Sequence, residues 1–384
     1  MRFEVTLPAR VLFGPGVAGE VGTAAAGMGR RVFLVTGRDP ARVATVETSL
    51  ADAGLQCVAF AAGGEPTVSM ARDATRAARD AGCDLVVAAG GGSALDLGKA
   101  VAGLLGNGGD PLDYLEVIGR GLPMQKPAVP FIAIPTTAGT GSEATRNAVL
   151  ASREHGVKAS LRSPHLLPRL ALVDPGMTLG MTPEVTATTG MDALTQLIEP
   201  YTCLKAQPFT DALCREGIRR AARSLPAAFH DGTDLEAREN MAVASLFGGM
   251  ALANAGLGAV HGFAAAIGGR FPVAHGAICA RLLGPVMQAN LRALRQRMPG
   301  SPALARYDEV ARLLTGDPGA VAEDGVRHVA RLRGELRILT LSECGVSGGD
   351  LPAIVEATRN ASSTRANPVS LTIEELSDVL REVL

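Results

Sequence analysis

The sequence predicts an α/β domain over residues 1–180, followed by an all-α domain over residues 181–384. Three observations lead to this division. The first half alternates short apolar runs with segments of helical periodicity, which is typical of a mostly parallel sheet covered by helices. After about residue 182, strand-like runs almost disappear and helical periodicity recurs. The chain has 384 residues, which is more than one ordinary hydrophobic core organises, so two domains are expected.

The individual elements follow from periodicity and capping residues. In the first half, strands are predicted at residues 30–37, 57–60, 83–93 and 130–145, the last of which opens into a polar loop. Helices are predicted between them at residues 41–54, 67–82 and 93–106, with Thr67 as an N-cap. In the second half, helices are predicted at roughly 184–203, 208–227, 234–256, 276–297, 301–315, 318–337 and 372–384.

Composition and charge exclude several classes of protein. The formal net charge is −1, so there is no basic field to attract nucleic acid or an anionic membrane. The six cysteines are scattered without a CxxC pair, which argues against a disulfide framework or a zinc knuckle. The segment MRFEVTLPARVLFG has no apolar signal core, so we expect a cytoplasmic enzyme.

A charge-free apolar stretch runs from Met241 to Gly269 and raises the question of a membrane span. The stretch is long enough to span a bilayer. It is built mainly from Ala, Gly and Ser, and it contains Asn254 and His261, which makes insertion into a bilayer unfavourable. We therefore predict a buried, tightly packed pair of helices rather than a membrane span.

Two glycine- and hydroxyl-rich loops follow predicted strands. In GGGSALDLGKA, starting at Gly90, three glycines precede a helix, and backbone N–H groups at a helix N-terminus suit a diphosphate. The pattern is neither G-x-G-x-x-G nor a Walker loop, and a simple tight turn is the alternative. PTTAGTGSEAT at 135–145 adds hydroxyl groups suited to a phosphate or ribose, or to a polar surface loop. Ligands of open α/β sheets bind at such strand ends.

The second half holds a candidate set of metal ligands. Asp192 and Gln196 are four residues apart in GMDALTQLIE, so they share one face of a helix. His261 and His275 lie in an otherwise small and apolar segment. One carboxylate with two imidazoles is a common divalent-metal set, and Gln196 could add an amide oxygen. Buried, hydrogen-bonded histidines are the alternative interpretation.

Four segments together resemble the iron-containing (group III) alcohol dehydrogenase family. They are GGGSALDLGKA, PTTAGTGSEAT, GMDALTQLIEPYT and AVHGFAAAIGGRFPVAHGAICARLLGPVMQAN, and their order and spacing match through nearly the whole chain. The resemblance implies an N-terminal dinucleotide-binding α/β domain and a C-terminal helical metal-binding domain. This is the architecture that dehydroquinate synthases share.

The resemblance also implies roles for individual residues. Gly91, Gly92 and Ser93 would hold the pyrophosphate, supported by Asp96, and Gly37 and Arg38 would lie beside the adenosine ribose. Hydroxyl residues of the second loop would contact the nicotinamide-side phosphate and ribose, and Lys158 would reach a ribose; these hydroxyl residues are Thr136, Thr137, Thr140 and Ser142. Substrate would meet Thr145 and Asn147. The catalytic metal, Fe2+ or Zn2+, would be held by Asp192, Gln196, His261 and His275.

The chain departs from the commonest family pattern at three places. Gln196 stands where the family usually has a second-ligand histidine, which favours zinc over iron. Ala265 stands where many members have a histidine proposed to relay protons, so water or a ribose hydroxyl would replace it. Gly37 followed by Arg38 permits a 2′-phosphate, so we lean slightly to NADP(H), although Asp39 could still bind a ribose hydroxyl.

The function that the resemblance implies is metal-dependent hydride transfer between NAD(P)(H) and a small alcohol or aldehyde, in a homodimer. Three alternatives stay open. A metal-independent reductase of the maleylacetate type is disfavoured by Asp192, and a dehydroquinate synthase-like lyase by the presence of only four lysines. The third alternative, a helical binding module without enzymatic activity, would require that neither of the two glycine- and hydroxyl-rich loops binds a nucleotide.

Overall fold

The computed structural model describes residues 2–384, which divide into two compact units. The α/β unit comprises residues 6–137 and 141–180. The helical unit comprises residues 181–384 together with residues 2–5 and the short segment Ala138–Thr140. These two short segments lie outside the unit to which the sequence analysis assigned them, because it placed everything before residue 181 in one domain.

The α/β unit is built on a parallel sheet of six strands among the described residues, in the order β1-β8-β5-β4-β2-β3. A separate antiparallel hairpin is formed by β6 and β7. The strands are β1 (Val11–Phe13), β2 (Arg31–Thr36), β3 (Gln56–Ala61), β4 (Leu85–Gly90), β5 (Phe131–Pro135), β6 (Asn147–Ser152), β7 (Val157–Arg162) and β8 (Leu170–Val173).

Helices connect the strands of the sheet. They are α1 (Val21–Ala26), α2 (Ala44–Asp52), α3 (Val68–Asp80), α4 (Gly92–Asn107) and the single turn α5 (Pro111–Tyr114). Thr67 caps α3, as its sequence position predicts, and its hydroxyl accepts a hydrogen bond from the Met70 N–H at 3.1 Å.

The central strands β4 and β5 are apolar at every position because both faces of the sheet are covered. Along β4, Val86 and Ala88 pack into the cluster on one face, whereas Leu85 and Val87 pack into the cluster on the other. This explains why the sequence shows continuous apolar runs rather than alternation.

No β-strand lies in the described part of the helical unit. Its helices are α6 (Pro183–Thr202), α7 (Pro208–His230), α8 (Leu235–Asn254), α9 (Ala259–Gly268), α10 (His275–Arg297), α11 (Pro302–Thr315), α12 (Ala322–Glu335), α13 (Leu351–Asn360) and α14 (Ile373–Val383). One continuous cluster of buried side chains joins these helices. Helix α13 was not predicted from the sequence, and α9 was predicted only as part of the buried helix pair between Met241 and Gly269, without bounds.

The charge-free stretch from Met241 to Gly269 forms most of α8 and all of α9. Among residues 2–384, no single helix is long and apolar enough to cross a membrane. The pair α8 and α9 meets the length and composition criteria only when the two are taken together, and they are bent by 97° at the break between them. Most of their side chains are buried inside the protein.

Candidate metal and nucleotide sites

The α/β unit has a switch point where its chain order reverses, between β2 and β4. The strand β3 follows β2 on one side, whereas β5 and β8 extend the sheet beyond β4 on the other. Gly37 follows β2 and Gly91 follows β4, so both lie at the carboxyl edge of the sheet, where ligands of open α/β folds bind. A Cβ atom on Gly90 would lie 2.6 Å from the Cβ of Ala94, so this turn requires glycine.

The glycine turn leads directly into the sixteen-residue helix α4, whose N-cap is Gly91. The N–H groups of Ala94 and Leu95 donate to the Gly91 carbonyl, whereas those of Gly92 and Ser93 precede the first intrahelical bonds. Thr137 lies beside this turn, since a Cβ on Gly91 would be 3.5 Å from its Oγ1. Backbone donors and a hydroxyl therefore converge on one helix N-terminus, an arrangement suited to a phosphate.

Asp96, in the second turn of α4, accepts hydrogen bonds from two neighbouring segments. Its Oδ1 accepts a hydrogen bond from the Ser142 hydroxyl at 2.6 Å, and its Oδ2 accepts one from the Val149 N–H at 3.0 Å. The carboxylate thus ties α4 to the threonine loop and to β6. We infer that it positions the threonine loop relative to α4.

Lys99 is a residue for which the sequence analysis gave no role. Its side chain is completely buried, and its Nζ donates to the Thr145 hydroxyl at 2.8 Å and to the Asn147 carbonyl at 2.6 Å. It also lies 3.3 Å from Asp96 Oδ1. Burial lowers the pKa of Lys99, although Asp96 opposes this effect. The Thr145 hydroxyl and the Asn147 carbonyl, from residues predicted to meet substrate, are therefore engaged by this lysine.

The remaining predicted nucleotide residues lie in two units. Thr136, Thr137 and Ser142 belong to the α/β unit, whereas Thr140 is grouped with the helical unit. Lys158 was expected to reach a ribose, but its Nζ pairs with Glu65 Oε2 at 2.8 Å. A ribose hydroxyl would have to share or replace that ion pair.

Glu143, in the threonine loop, produces a pH dependence of stability. Burial raises its pKa from 4.5 to about 7. The folded chain therefore holds a proton that the unfolded chain has lost, and the free energy of unfolding falls as pH rises from about 4.5 to about 7, by roughly 3 kcal/mol. We expect Glu143→Gln to remove this component, so that the variant exceeds the parent in stability at pH 8 but not at pH 4.5. Urea unfolding at both pH values measures this difference, and parallel pH profiles for the two proteins would contradict it.

The helical unit brings together four potential metal-binding side chains from α6, α9 and α10. They are Asp192, His261, His275 and Cys279, and one ligand atom from each lies within 4.8 Å of all the others. Asp192 Oδ1 is 3.5 Å from His261 Nε2 and 3.7 Å from His275 Nε2. The three predicted ligands Asp192, His261 and His275 thus converge on one point.

Close packing of α10 on α6 produces this convergence. A Cβ on Gly276 would lie 2.1 Å from the Thr188 carbonyl oxygen, so only glycine lets the first turn of α10 approach α6 so closely. His275 at the start of α10 consequently faces Asp192. The His275 side chain is 36% exposed, whereas those of Asp192 and His261 are 4% and 5% exposed, so the cluster is open on the His275 side.

The cluster has the polar atoms that a cation requires. Asp192 Oδ1 and His261 Nε2 are buried and have no hydrogen-bond partner among the described residues, because their 3.5 Å separation lacks hydrogen-bond geometry. Buried polar groups without partners are rare and costly. A divalent cation between them would satisfy both atoms, and carboxylate with imidazole is a suitable donor set for iron or zinc. The residues present therefore fit a metal ion.

Glu199, a residue that the sequence analysis did not single out, orients His261. Its Oε2 accepts a hydrogen bond from His261 Nδ1 at 2.6 Å, and its Oε1 accepts one from the Val260 N–H at 2.7 Å. With Nδ1 donating to Glu199, Nε2 is the nitrogen that faces the cluster, and a cation would take the place of any proton there. Burial alone would lower the pKa of His261, but Asp192 and Glu199 outweigh it and raise the pKa to about 9.

We expect Glu199→Gln to weaken metal binding by about 10- to 100-fold, as is typical when the carboxylate partner of a histidine ligand is removed. The amide fits the same space but can turn its NH2 toward His261 and favour the wrong tautomer. Competition with a chromophoric chelator measures the affinity. Glu184→Gln, an exposed change in the first turn of the same helix, is the matched control. Equal affinities in the two variants would contradict a positioning role.

The side chain of Gln196 is held by another interaction. Its Nε2 donates to the Thr140 carbonyl at 2.7 Å, so only Oε1 remains available to a metal. Asp192, Gln196 and Glu199 share the buried face of α6, at i, i+4 and i+7.

The fold and the site together define a metal-dependent dehydrogenase with a nucleotide-binding α/β unit. Residues 8–175 match the family model for iron-containing alcohol dehydrogenase, and residues 186–384 match the model for the C-terminal region of the same family. The chain belongs to the iron-containing alcohol dehydrogenase family, and its enzymatic class is that of an alcohol dehydrogenase.

Curated relatives and solved structures cover almost the whole chain. Choline dehydrogenase of Bacillus subtilis (strain 168) is 35% identical over 96% of this chain and 91% of its own length. 1,3-Propanediol dehydrogenase of Citrobacter freundii is 35% identical over 99% of this chain and 98% of its own. Among solved structures, a 1,3-propanediol oxidoreductase is 33% identical with a TM-score of 0.92, covering 100% of both chains. Sulfoacetaldehyde reductase of Bifidobacterium kashiwanohense in complex with NAD+ is 27% identical with a TM-score of 0.87, covering 100% of this chain and 99% of its own.

Proposed function

We propose that this alcohol dehydrogenase interconverts a small primary alcohol and its aldehyde by hydride transfer to and from NAD(P)(H), with a divalent metal held by Asp192, His261 and His275. The observation that carries the proposal is the convergence of these three side chains, two of whose ligand atoms are buried and unpartnered. The relatives are described as acting on different alcohols, so similarity alone does not select the substrate.

Different residues of the site bind the metal and the nucleotide and orient the histidine ligand. A bound divalent metal supplies Lewis acidity, which polarises the carbonyl oxygen of an aldehyde and lowers the pKa of an alcohol. Asp192 provides the negative charge of the site, and Glu199 holds the His261 tautomer. The N–H groups of Gly92 and Ser93 bind the diphosphate of the nucleotide. Substrate approaches on the exposed His275 side. Ala265 cannot hold a proton, so we propose that the alcohol proton leaves to water or through a ribose hydroxyl.

Two measurements test this function. We expect about one equivalent of iron or zinc per chain in protein purified without chelator, and oxidation of NADPH or NADH when small aldehydes are added. The absorbance change separates the reaction from that of a lyase, which would consume no reduced nucleotide. Protein that neither contains nor takes up metal, together with no nucleotide oxidation across aldehydes, would contradict the proposal.

We propose a slight preference for NADP(H), which rests on Gly37 and Arg38. A Cβ on Gly37 would meet no atom within 4 Å, so a larger residue fits there without distorting the turn. We expect Gly37→Asp to shift the ratio of kcat/KM values toward NAD(H) by about 10-fold or more, because the carboxylate repels a 2′-phosphate. Gly300→Asp adds the same charge at an exposed and open position and should leave the ratio unchanged. If the ratio were unchanged in both variants, the 2′-phosphate of the nucleotide would not lie beside Gly37, and the proposed basis for NADP(H) preference would be wrong.

We also propose a homodimer and a cytoplasmic location. The dimer proposal rests on FEVTLP at residues 3–8, in which Phe3 and Val5 are 48% and 39% exposed. Sedimentation analysis of the purified chain, with Phe3→Ser as the variant, tests the dimer.

A further inference from the structure

The metal cluster contains one side chain that the Asp–His–His set leaves without a role. Cys279 lies one turn beyond His275 on α10, so the two residues share a helix face. Its side chain is completely buried. Its Sγ lies within 4.8 Å of the ligand atoms of Asp192, His261 and His275.

The distances around Asp192 are close to those of a filled site. Zinc bonds of about 2.0–2.1 Å to nitrogen or oxygen, arranged tetrahedrally, separate the ligand atoms by about 3.4 Å. The two histidine nitrogens lie 3.5 and 3.7 Å from Asp192 Oδ1. A sulfur ligand with a bond of about 2.3 Å would be about 3.6 Å from its neighbours. All four ligand atoms lie within 4.8 Å of one another, so the sulfur would need to approach its neighbours by no more than about 1 Å to complete the set.

Gln196 is a poor candidate for the fourth ligand of the metal. Its amide nitrogen is bound to the Thr140 carbonyl, and its remaining oxygen is a neutral, weak ligand for zinc. A thiolate is both charged and soft, and it is one of the ligands that zinc prefers.

We propose that Cys279 is the fourth protein ligand of the metal and takes the place that Gln196 does not fill. On binding, the thiol releases its proton to solvent, and the thiolate donates a lone pair to the cation without any change of oxidation state. Burial raises the pKa of the uncomplexed thiol, and a coordinated cation removes the proton outright. These four residues would still leave room for a substrate oxygen, because zinc in catalytic sites can expand to five ligands.

This inference rests on the proposed function, since it assumes a metal between Asp192 and the histidines. It goes further in assigning the selectivity of the site. A thiolate raises the affinity for zinc and cobalt far more than for manganese or magnesium, which prefer oxygen ligands. We therefore expect the full chain to discriminate strongly for zinc over manganese, and Cys279→Ser to lose most of this discrimination.

The test is spectroscopic and does not depend on turnover. The full chain is loaded with one equivalent of Co2+ under reducing conditions, and the near-ultraviolet thiolate-to-cobalt charge-transfer band is recorded. We expect the band in the parent, its loss in Cys279→Ser with the visible ligand-field bands retained, and its retention in Cys203→Ser. Cys203 is a matched control because it is a buried thiol of the same unit outside the cluster. X-ray absorption of the zinc form should show one sulfur at about 2.3 Å.

The outcomes separate this inference from the proposed function. Stoichiometric cobalt without a charge-transfer band in the parent overturns the Cys279 assignment and leaves the metal-dependent function standing. A band that persists in Cys279→Ser also overturns it. Failure of the parent to bind any metal overturns both. If the serine variant misfolds, two other measurements test the assignment. They are the charge-transfer band in Cys279→Ala and the number of sulfur ligands in the X-ray absorption spectrum of the zinc form of the parent. We also expect zinc affinity to fall by at least about 10-fold in Cys279→Ser, since losing a ligand costs no less than losing its outer partner.

Discussion

Asp192→Asn is expected to reduce kcat/KM for aldehyde reduction by at least about 10³-fold and to leave the purified protein with less than stoichiometric metal. The residue is the only carboxylate among the clustered ligand atoms, and it lies between both histidine nitrogens. Its replacement by a neutral amide removes the charge that balances the cation. A bound metal supplies several kcal/mol of transition-state stabilisation, and about 4 kcal/mol corresponds to a factor of 10³. Steady-state kinetics and elemental analysis of the same preparations measure both effects.

The control for this change is Asp378→Asn on the exposed face of α14, which removes an identical charge from the same unit. It should leave both metal content and activity unchanged. Full hydride transfer in Asp192→Asn, with metal absent, would show that the reaction proceeds without a metal and would support the maleylacetate-type alternative.

Lys99→Met is expected to lower the free energy of unfolding by about 3–5 kcal/mol, the usual cost of removing one member of a buried charged pair. Methionine fills much of the lysine volume but donates no hydrogen bond. The Asn147 carbonyl and the Thr145 hydroxyl would lose their buried donor, and Asp96 would lose its nearby positive charge. Because this contact joins α4 to β6, the threonine loop should loosen as well. Urea unfolding followed by circular dichroism measures the change.

Lys126→Met provides the comparison, since Lys126 is exposed. Its substitution should change the free energy of unfolding by no more than about 0.5 kcal/mol. If Lys99→Met changed the free energy of unfolding by less than about 1 kcal/mol, the hydrogen bonds of the buried ammonium group would contribute little to stability, which would contradict this prediction.

The strands of the sheet centre could be predicted because their environment is uniform. β2, β4 and β5 are buried on both faces over nearly their whole length, so they appear as apolar runs that end in, or are followed by, glycine or proline. The edge strand β1 and the strand β8 have only three and four residues, too few for a period to emerge. The bounds of helix α9 escaped prediction for another reason. Nearly every side of this helix is buried among other helices, so it has no polar face to mark its period.

Part of the site was also visible in the sequence. The spacing of Asp192 and Gln196 placed both on one helix face, and His261 and His275 stood out in an apolar segment. Extending the same spacing rule would have found Glu199, which is seven residues beyond Asp192, and Cys279, which is four residues beyond His275. The role of Lys99 had no such signal, because its partners lie on β6 and in the threonine loop, far along the chain.

The sequence by itself determined the two-part architecture, the glycine turn before α4 and the family to which the chain belongs. These depend on local patterns: apolar runs, helical periods, and motifs whose residues act within one turn of each other. Only the tertiary structure decided that Gln196 binds the Thr140 carbonyl, that Glu199 orients His261, and that Cys279 lies beside Asp192. These contacts depend on how closely α6 packs against the threonine loop, α9 and α10, the last of which approaches α6 at Gly276. Such packing distances are set by side chains distant in the chain rather than by local spacing.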